Sequence, residues 1–369
     1  MLDPDLDALT PAQLVGQLLV VGFDGQRAPS ELGDALAQGE RAGVILFRRN
    51  LTPGRGGLGE LQDSCAELAG LAPPGLPPLI AIDEEGGRVA RLSPPALVLP
   101  PMRRIASLGD LGLLERVGLV MGQQLRCLGL TMNFAPVVDV DTNPDNPVIG
   151  DRAFSRDPSE VASCAGAYLR GLGGSGLLGC LKHYPGHGDT LEDSHHALPT
   201  VPHDRARLEA VELLPFRRLA QQADSMMTAH VVYPGLDPGS AATLSSFISG
   251  TLLRAELGFE GVLFSDDLEM QAIAGHAEPE QSAVQAIEAG CDILLACSRA
   301  EVQARVHAAL LEQFERSAPF AARCRQAAGR SLAMRRRCPP RPGSGEELSA
   351  LLRSEVPALE AELERRLAS

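Results

Sequence analysis

Eight short apolar runs punctuate this chain, and longer segments of helical period separate them. They cover residues 18–23, 43–47, 79–83, 130–135, 177–181, 225–230, 261–266 and 291–296. Runs of this length and character read as buried strands. Eight of them alternating with helices predict an α/β fold, a (β/α)8 barrel of the TIM type, better than an open doubly wound sheet. Helical segments at 300–313 and 319–337 would complete the barrel, so residues 1–338 are expected to form one catalytic domain. Residues 339–369 then comprise a Pro- and Gly-rich linker and a C-terminal helix packed on the barrel, broken or kinked at Pro357. A monomer is expected; self-association through this tail is the alternative.

A barrel also predicts where function resides, because such active sites lie at the C-terminal ends of the strands. Asp83, Asn133, Lys182, His183, His230 and Asp266 all fall at or just past the end of a run. The densest polar stretch is Lys182-His183-Tyr184-Pro185-Gly186-His187-Gly188-Asp189-Thr190, closed by Asp193-Ser194-His195-His196. It follows the fifth run and reads as a mobile, glycine-punctuated loop. An Asp193 carboxylate bonded to the His195 ring would fix its tautomer and raise its basicity, which suits a proton shuttle near neutral pH. A metal site built from His187, Asp189, Asp193, His195 and His196 is the competing arrangement. Lys182 counts against it, since an ammonium repels a divalent ion, and no metal or other cofactor is expected.

Asp266, at the end of the seventh run, is a candidate nucleophile, metal ligand or cation-stabilising charge. Its neighbour Asp267 fits the N-cap of a helix starting near Leu268. Asp83 and Arg91, in a segment turned by Gly86 and Gly87, offer an acceptor and a forked donor. With Arg152, Lys182 and His183 they form a polar cup suited to a neutral, hydroxyl-rich ligand.

A net charge of −14 and the lack of a basic stripe argue against nucleic acid as a partner. Short basic runs such as Arg335-Arg336-Arg337 read as solvated helix ends. The eight cysteines are scattered, with no CxxC pair, and several sit in apolar segments, so they read as small buried thiols of a reducing compartment. The acidic start lacks the basic and apolar regions of an export signal, and no apolar run approaches about 20 residues. A cytoplasmic protein without membrane association is expected.

Taken together, six stretches resemble glycoside hydrolase family 3, in particular its bacterial β-N-acetylglucosaminidases of the peptidoglycan-recycling type. They are Asp83-Glu84-Glu85-Gly86-Gly87-Arg88-Val89-Ala90-Arg91, Asn133-Phe134-Ala135-Pro136-Val137-Val138-Asp139, Gly150-Asp151-Arg152-Ala153-Phe154, the Lys182 to Thr190 stretch above, Asp193-Ser194-His195 and Ser265-Asp266-Asp267-Leu268. The resemblance implies a retaining β-N-acetylhexosaminidase that removes terminal N-acetylglucosamine from a small carbohydrate, a muropeptide-type fragment bearing 1,6-anhydro-N-acetylmuramic acid. It implies Asp266 as nucleophile, His195 held by Asp193 as acid and base, and Asp83, Arg91, Arg152, Lys182 and His183 as sugar contacts, with His230 and Met270 in the same pocket. Two positions depart from the family pattern: Glu84 stands where Gln is common, and Tyr184 where Phe is. The acidic residue of the two-domain β-glucosidase branch has no counterpart. A phosphorylase or β-glucosidase of the same family, or a silent sugar-binding barrel, are the competing functions.

Overall fold

Eight parallel strands close on themselves: β1 (Leu19–Val21), β2 (Gly43–Leu46), β3 (Leu79–Ile82), β4 (Met132–Asn133), β5 (Leu178–Tyr184), β6 (Ser225–Thr228), β7 (Val262–Asp267) and β8 (Ile293–Ala296). They neighbour one another in chain order, and β8 pairs with β1, Leu19 lying opposite Leu294. The protein is thus the (β/α)8 barrel that the alternating runs predict, in a computed structural model that describes residues 4–194, 198–275, 277–341 and 343–368. The interior is filled by Val20, Ile45, Met132, Phe134, Phe264, Leu295 and their neighbours. Phe134 and Phe264 meet edge to face across it, with ring centroids 5.2 Å apart. Apolar side chains on the outer faces pack against the surrounding helices in a second, larger core.

One strand is longer than its apolar run. The fifth run ends at Leu181, but β5 continues through Lys182, His183 and Tyr184, which are therefore strand residues and not part of a mobile loop. Their backbone groups are paired on both sides: Val138 N–H donates to the Lys182 carbonyl at 2.8 Å, and Ala229 N–H to the Tyr184 carbonyl at 2.7 Å. A charged residue ends an apolar run in the sequence, yet it need not end a strand whose interior face supplies counter-charges.

The long helical segment before β4 is two helices, Met102–Ala106 and Leu111–Cys127, the second capped by Asp110 accepting from Leu113 N–H. The C-terminal tail is also two helices, Gly345–Arg353 and Glu355–Ala368. They break at Ser354 and not at Pro357, which occupies the first turn of the last helix, where an N–H has no intrahelical partner to lose. The tail buries Leu348, Leu351, Val356, Leu359 and Leu363, and Arg366 pairs with Asp110 at 2.8 Å. No helix among the described residues is long and apolar enough to cross a membrane. All eight cysteines are buried and free.

At the end of the barrel opposite the strand C-termini, Arg335 is only 1% exposed, so it is no solvated helix end. From the helix Ala318–Arg337 it reaches the Gln17 side chain and the carbonyls of Ala42 and Pro77. Burial, with the nearby charge of Arg336, pushes its guanidinium down to about 9. Asp292 is the other anchor here: fully buried, it accepts from Arg254 at 2.7 Å, Arg323 at 2.9 Å, Arg330 at 3.2 Å and the Leu263 N–H. Removing it leaves three guanidiniums without their shared carboxylate, although Arg254 and Arg323 keep backbone carbonyl partners. Asp292→Ala should cost about 2–4 kcal/mol in a urea titration, the partial exposure of the arginines softening the loss. An unchanged midpoint would refute that anchoring role.

Candidate active site

The segments that follow β3, β4 and β5 converge on a cavity of about 220 Å³ at the C-terminal mouth of the barrel. Asp83, Arg91, Arg152, Lys182, His183, Asp266 and Met270 all line it, so seven of the residues singled out in the sequence meet there. Glu85, His187 and Asp267 line it too; the sequence reading gave Glu85 no role, His187 only a place in the competing metal site and Asp267 only that of a helix cap. Apolar Ile45, Phe47, Met227 and Leu295 complete the wall. This is smaller than the ~300–1,000 Å³ of drug-sized sites and matches a single sugar ring with its substituents.

Lys182 is at the centre. Its ammonium, 3% exposed, lies 2.7 Å from both Asp83 Oδ1 and Glu85 Oε1. Arg152 binds Glu85 through two parallel contacts of 2.9 Å, and Arg91 reaches Asp83 at 3.3 Å. Burial alone drives Glu85 up and Lys182 and Arg152 down. The opposed charges outweigh it, so Glu85 lies well below the usual carboxylate range and both cations stay charged. Three cations thus face Asp83, Glu85, Asp266 and Asp267 around the cavity, the last a carboxyl raised to about 7, and the near balance favours a neutral ligand over an ionic one.

A second network positions the imidazoles. Fully buried Asp139 accepts from His183 Nδ1 at 2.7 Å, from the His183 N–H and from the His187 N–H at 2.7 Å. Burial pushes Asp139 up, but the His183 charge and these donors hold it below its ordinary value. His187 bonds Thr190 Oγ1 at 2.9 Å and Ser194 Oγ at 3.0 Å, and burial, with His183 beside it, lowers its imidazole to about 4. It is therefore neutral at working pH and acts as a strut for the segment after β5.

That segment is fastened, and its glycines serve close packing. A side-chain carbon on Gly188 would sit 1.7 Å from the Val140 carbonyl oxygen. Thr142 and His203 both bond Asp189, Tyr233 donates to the Gly186 carbonyl at 2.6 Å, and Ala272 N–H donates to the Ser194 carbonyl at 3.2 Å. Ser194 is thereby held in the cavity wall, with half-buried Asp193 before it. His195 and His196 lie outside the described residues.

Asp266 Oδ1 accepts from the Asp267 N–H at 2.8 Å. Asp267 is not the expected helix cap: the next helix, Gln271–Ala274, starts later, after Met270. Asp267 Oδ1 accepts instead from Glu269 and Cys297 N–H at 3.1 Å, tying the end of β7 to that of β8. Burial, together with the Glu269 and Asp266 charges, raises it to about 7 despite those donors. His230 does not line the cavity. It is fully buried behind β7, with Nδ1 on Thr243 Oγ1 at 2.8 Å and Nε2 on the Asp267 carbonyl at 3.0 Å, so it braces the strand end.

A family model described as the glycosyl hydrolase family 3 N terminal domain matches residues 12–330. The chain belongs to glycosyl hydrolase family 3. It is 41% identical over 293 residues to a β-hexosaminidase of Chromobacterium violaceum, covering 75% of this chain and 80% of that one. Among solved structures, a family 3 β-N-acetylglucosaminidase from Paenibacillus superposes with a TM-score of 0.86 at 39% identity, covering 95% of this chain and 69% of that one. NagZ from Neisseria gonorrhoeae gives 0.79 at 32% identity, with 95% and 98% covered. With the family comes the class of enzyme: this is a glycoside hydrolase of the β-N-acetylhexosaminidase type.

Glu84, one of the two positions read in the sequence as departing from the family pattern, does not line the cavity. It is fully buried, Oε2 accepting from the Arg91 and Leu92 N–H at 2.7 and 3.0 Å, while Oε1 has no partner among the described residues. Asn133 grips its backbone on both sides, at 2.9 and 2.8 Å. Burial raises the carboxyl from 4.5 to about 7, against the two N–H donors and the charges of Arg91 and Arg48. A folded pKa above the unfolded one means the native state holds the proton more tightly, so stability is lost as pH rises from about 4.5 through about 7. Glu84→Gln removes that loss. Its thermal stability should exceed the parent's at pH 8, by about 1–3 kcal/mol, and the gain should fade toward pH 4.5. Melting curves across that range check it, and a gain independent of pH would contradict the ionisation account.

Proposed function

We propose that this β-N-acetylhexosaminidase releases terminal, non-reducing N-acetylglucosamine from peptidoglycan fragments, notably its disaccharide with 1,6-anhydro-N-acetylmuramic acid, with retention of configuration. The observation that carries the reading is the presence of Asp266 and the charge-balanced cup of Asp83, Glu85, Lys182 and Arg152 in the wall of one sugar-sized cavity. NagZ from Neisseria gonorrhoeae has been solved with N-trifluoroacetyl-D-glucosamine, an N-acylated glucosamine of the same shape class as the proposed glycone.

In the first step Asp266 attacks the anomeric carbon as the glycosidic bond breaks, and His195 gives its proton to the departing oxygen. A glycosyl-aspartate forms. In the second step His195 takes a proton from water, the water oxygen bonds to the anomeric carbon, and Asp266 leaves as a carboxylate. Asp193 orients the imidazole and stabilises its charged form. Lys182, Asp83, Arg152, Arg91 and His183 hold the sugar hydroxyls, and the ion pairs between them keep those donors in position before substrate arrives, so little reorganisation is needed at the transition state. Met270 supplies an apolar contact.

Hydrolysis of a 4-nitrophenyl N-acetylglucosaminide tests these roles. Asp266→Ala should lower kcat by on the order of 10⁴-fold or more. His195→Ala should lower it about 10²- to 10⁴-fold. The first step needs Asp266 ionised and His195 protonated, so kcat/KM should follow a bell-shaped pH curve; a flat profile with chemistry rate-limiting would overturn the acid–base assignment. Full activity of Asp266→Ala would overturn the nucleophile. Sugar 1-phosphate formed in phosphate buffer would mark a phosphorylase instead.

A further inference from the structure

The three cations of the sugar cup are not held alike. Lys182 touches two carboxylates at 2.7 Å, and Arg152 binds Glu85 through two contacts of 2.9 Å. Arg91 has one contact of 3.3 Å, to Asp83, and its Nε has no partner among the described residues. Its place is therefore set through its backbone. There the Glu84 carboxyl does the holding: Oε2 accepts from the Arg91 N–H at 2.7 Å and from the Leu92 N–H at 3.0 Å, seven and eight residues along the chain. Glu84 is itself fixed, because Asn133 on β4 bonds both its N–H and its carbonyl. Between these anchors the chain doubles back at Gly86 and Gly87, whose φ values of 101° and 57° suit the turn, and the Glu85 N–H donates to the Val89 carbonyl at 2.9 Å. One buried acid outside the cavity thus closes the loop that presents Arg91 to it.

We infer that Glu84 is a positioning residue for the sugar: its carboxyl sets where the Arg91 guanidinium stands, and loss of its proton weakens binding of the glycone. The inference rests on the proposed sugar contact of Arg91. Glu84 Oε1 is buried without a partner among the described residues, so a carboxylate there lacks donors on that side. The charged or titratable groups nearest it are Arg91 on its own segment, Arg48 on the segment after β2 and the Tyr168 phenol on the helix Pro158–Gly174. Asp83 and Glu85, on either side of it in the chain, line the cavity instead. Burial outweighs the two cations and the two N–H donors, which is why the acid is raised to about 7. Below that pH the neutral carboxyl accepts both N–H bonds and buries no charge. Above it, the cost of a buried charge is relieved when segment 89–92 lifts and admits water to Oε1, and that segment carries Arg91. Glycone affinity then falls with the fraction of molecules in which Arg91 is displaced. Glutamine has the same shape and no proton to lose, so it holds the loop at every pH.

N-acetylglucosamine, a neutral product that does not titrate between about pH 6 and about pH 8.5, reads glycone affinity as a competitive inhibitor of 4-nitrophenyl N-acetylglucosaminide hydrolysis. The parent and Glu84→Gln should share one inhibition constant at about pH 6. At about pH 8.5, well below either melting transition, the parent's constant should be the larger by on the order of 3- to 10-fold. Other groups at the cavity titrate in both enzymes, so the ratio isolates Glu84. In an Arg91→Gln background the same exchange at Glu84 should leave the constant unchanged at either pH, which a general gain in stability does not predict. An equal or reversed pH dependence in parent and Glu84→Gln, or a difference that persists without Arg91, overturns the inference and leaves the hydrolase reading intact. Arg91→Gln binding the sugar as tightly as the parent overturns the sugar contact on which the inference rests, and a parent that does not hydrolyse the nitrophenyl glycoside overturns the hydrolase reading itself.

Discussion

A buried ammonium shared by two carboxylates is the interaction on which this active site depends. Lys182 on β5 cannot remain charged inside the barrel mouth unless the chain after β3 brings Asp83 and Glu85 to within 2.7 Å of it. Glu85 in turn fixes Arg152 in the segment after β4. One electrostatic requirement thereby sets the positions of two separate loops relative to β5. Truncating any partner leaves an uncompensated charge in a site with almost no solvent, so the geometry of the sugar cup and its stability are the same problem.

Around that centre, one set of polar groups holds another in place. Asp139 aligns His183 and the backbone of His187, and neutral His187 carries the turn at Thr190 and Ser194. Asp267 and His230 brace the end of β7, from which Asp266 enters the cavity. Asp139, His187 and His230 are fully buried behind the charged, mutually satisfied side chains of the cup. Charges paired in this way are held in position before any ligand arrives.

The glycines show how a plausible local argument inverts in three dimensions. Gly186 and Gly188 suggest freedom, yet Gly188 is needed because the Val140 carbonyl packs where a side chain would stand. Arg335 similarly reads as one of three solvated arginines, while the fold buries it in a nest of carbonyls with no carboxylate among its bonded partners. Glu84 reads as an added charge next to Asp83. Beyond the end of β3, with its backbone gripped by Asn133, it turns away from the cavity, so its consequence is for pH-dependent stability and for the chain it holds, Arg91 and Leu92.

The sequence by itself determined the barrel, because eight buried strands separated by helices leave few other ways to cover both faces of a sheet, and it determined that polar residues at the strand ends gather at one mouth. Asp83, Arg91, Arg152, Lys182, His183, Asp266 and Met270 were legible for that reason: each stands at or near a strand end, or inside a motif dense in polar groups. What tertiary structure alone decided was the division of labour among neighbours. Asp266 faces the cavity while Asp267 clasps β8, Glu85 pairs with Lys182 while Glu84 is buried, and His183 lines the wall while His230 stands behind it. Adjacent residues of one type look alike along a chain; only the direction in which the closed sheet turns each side chain, and the partner it meets there, tells them apart.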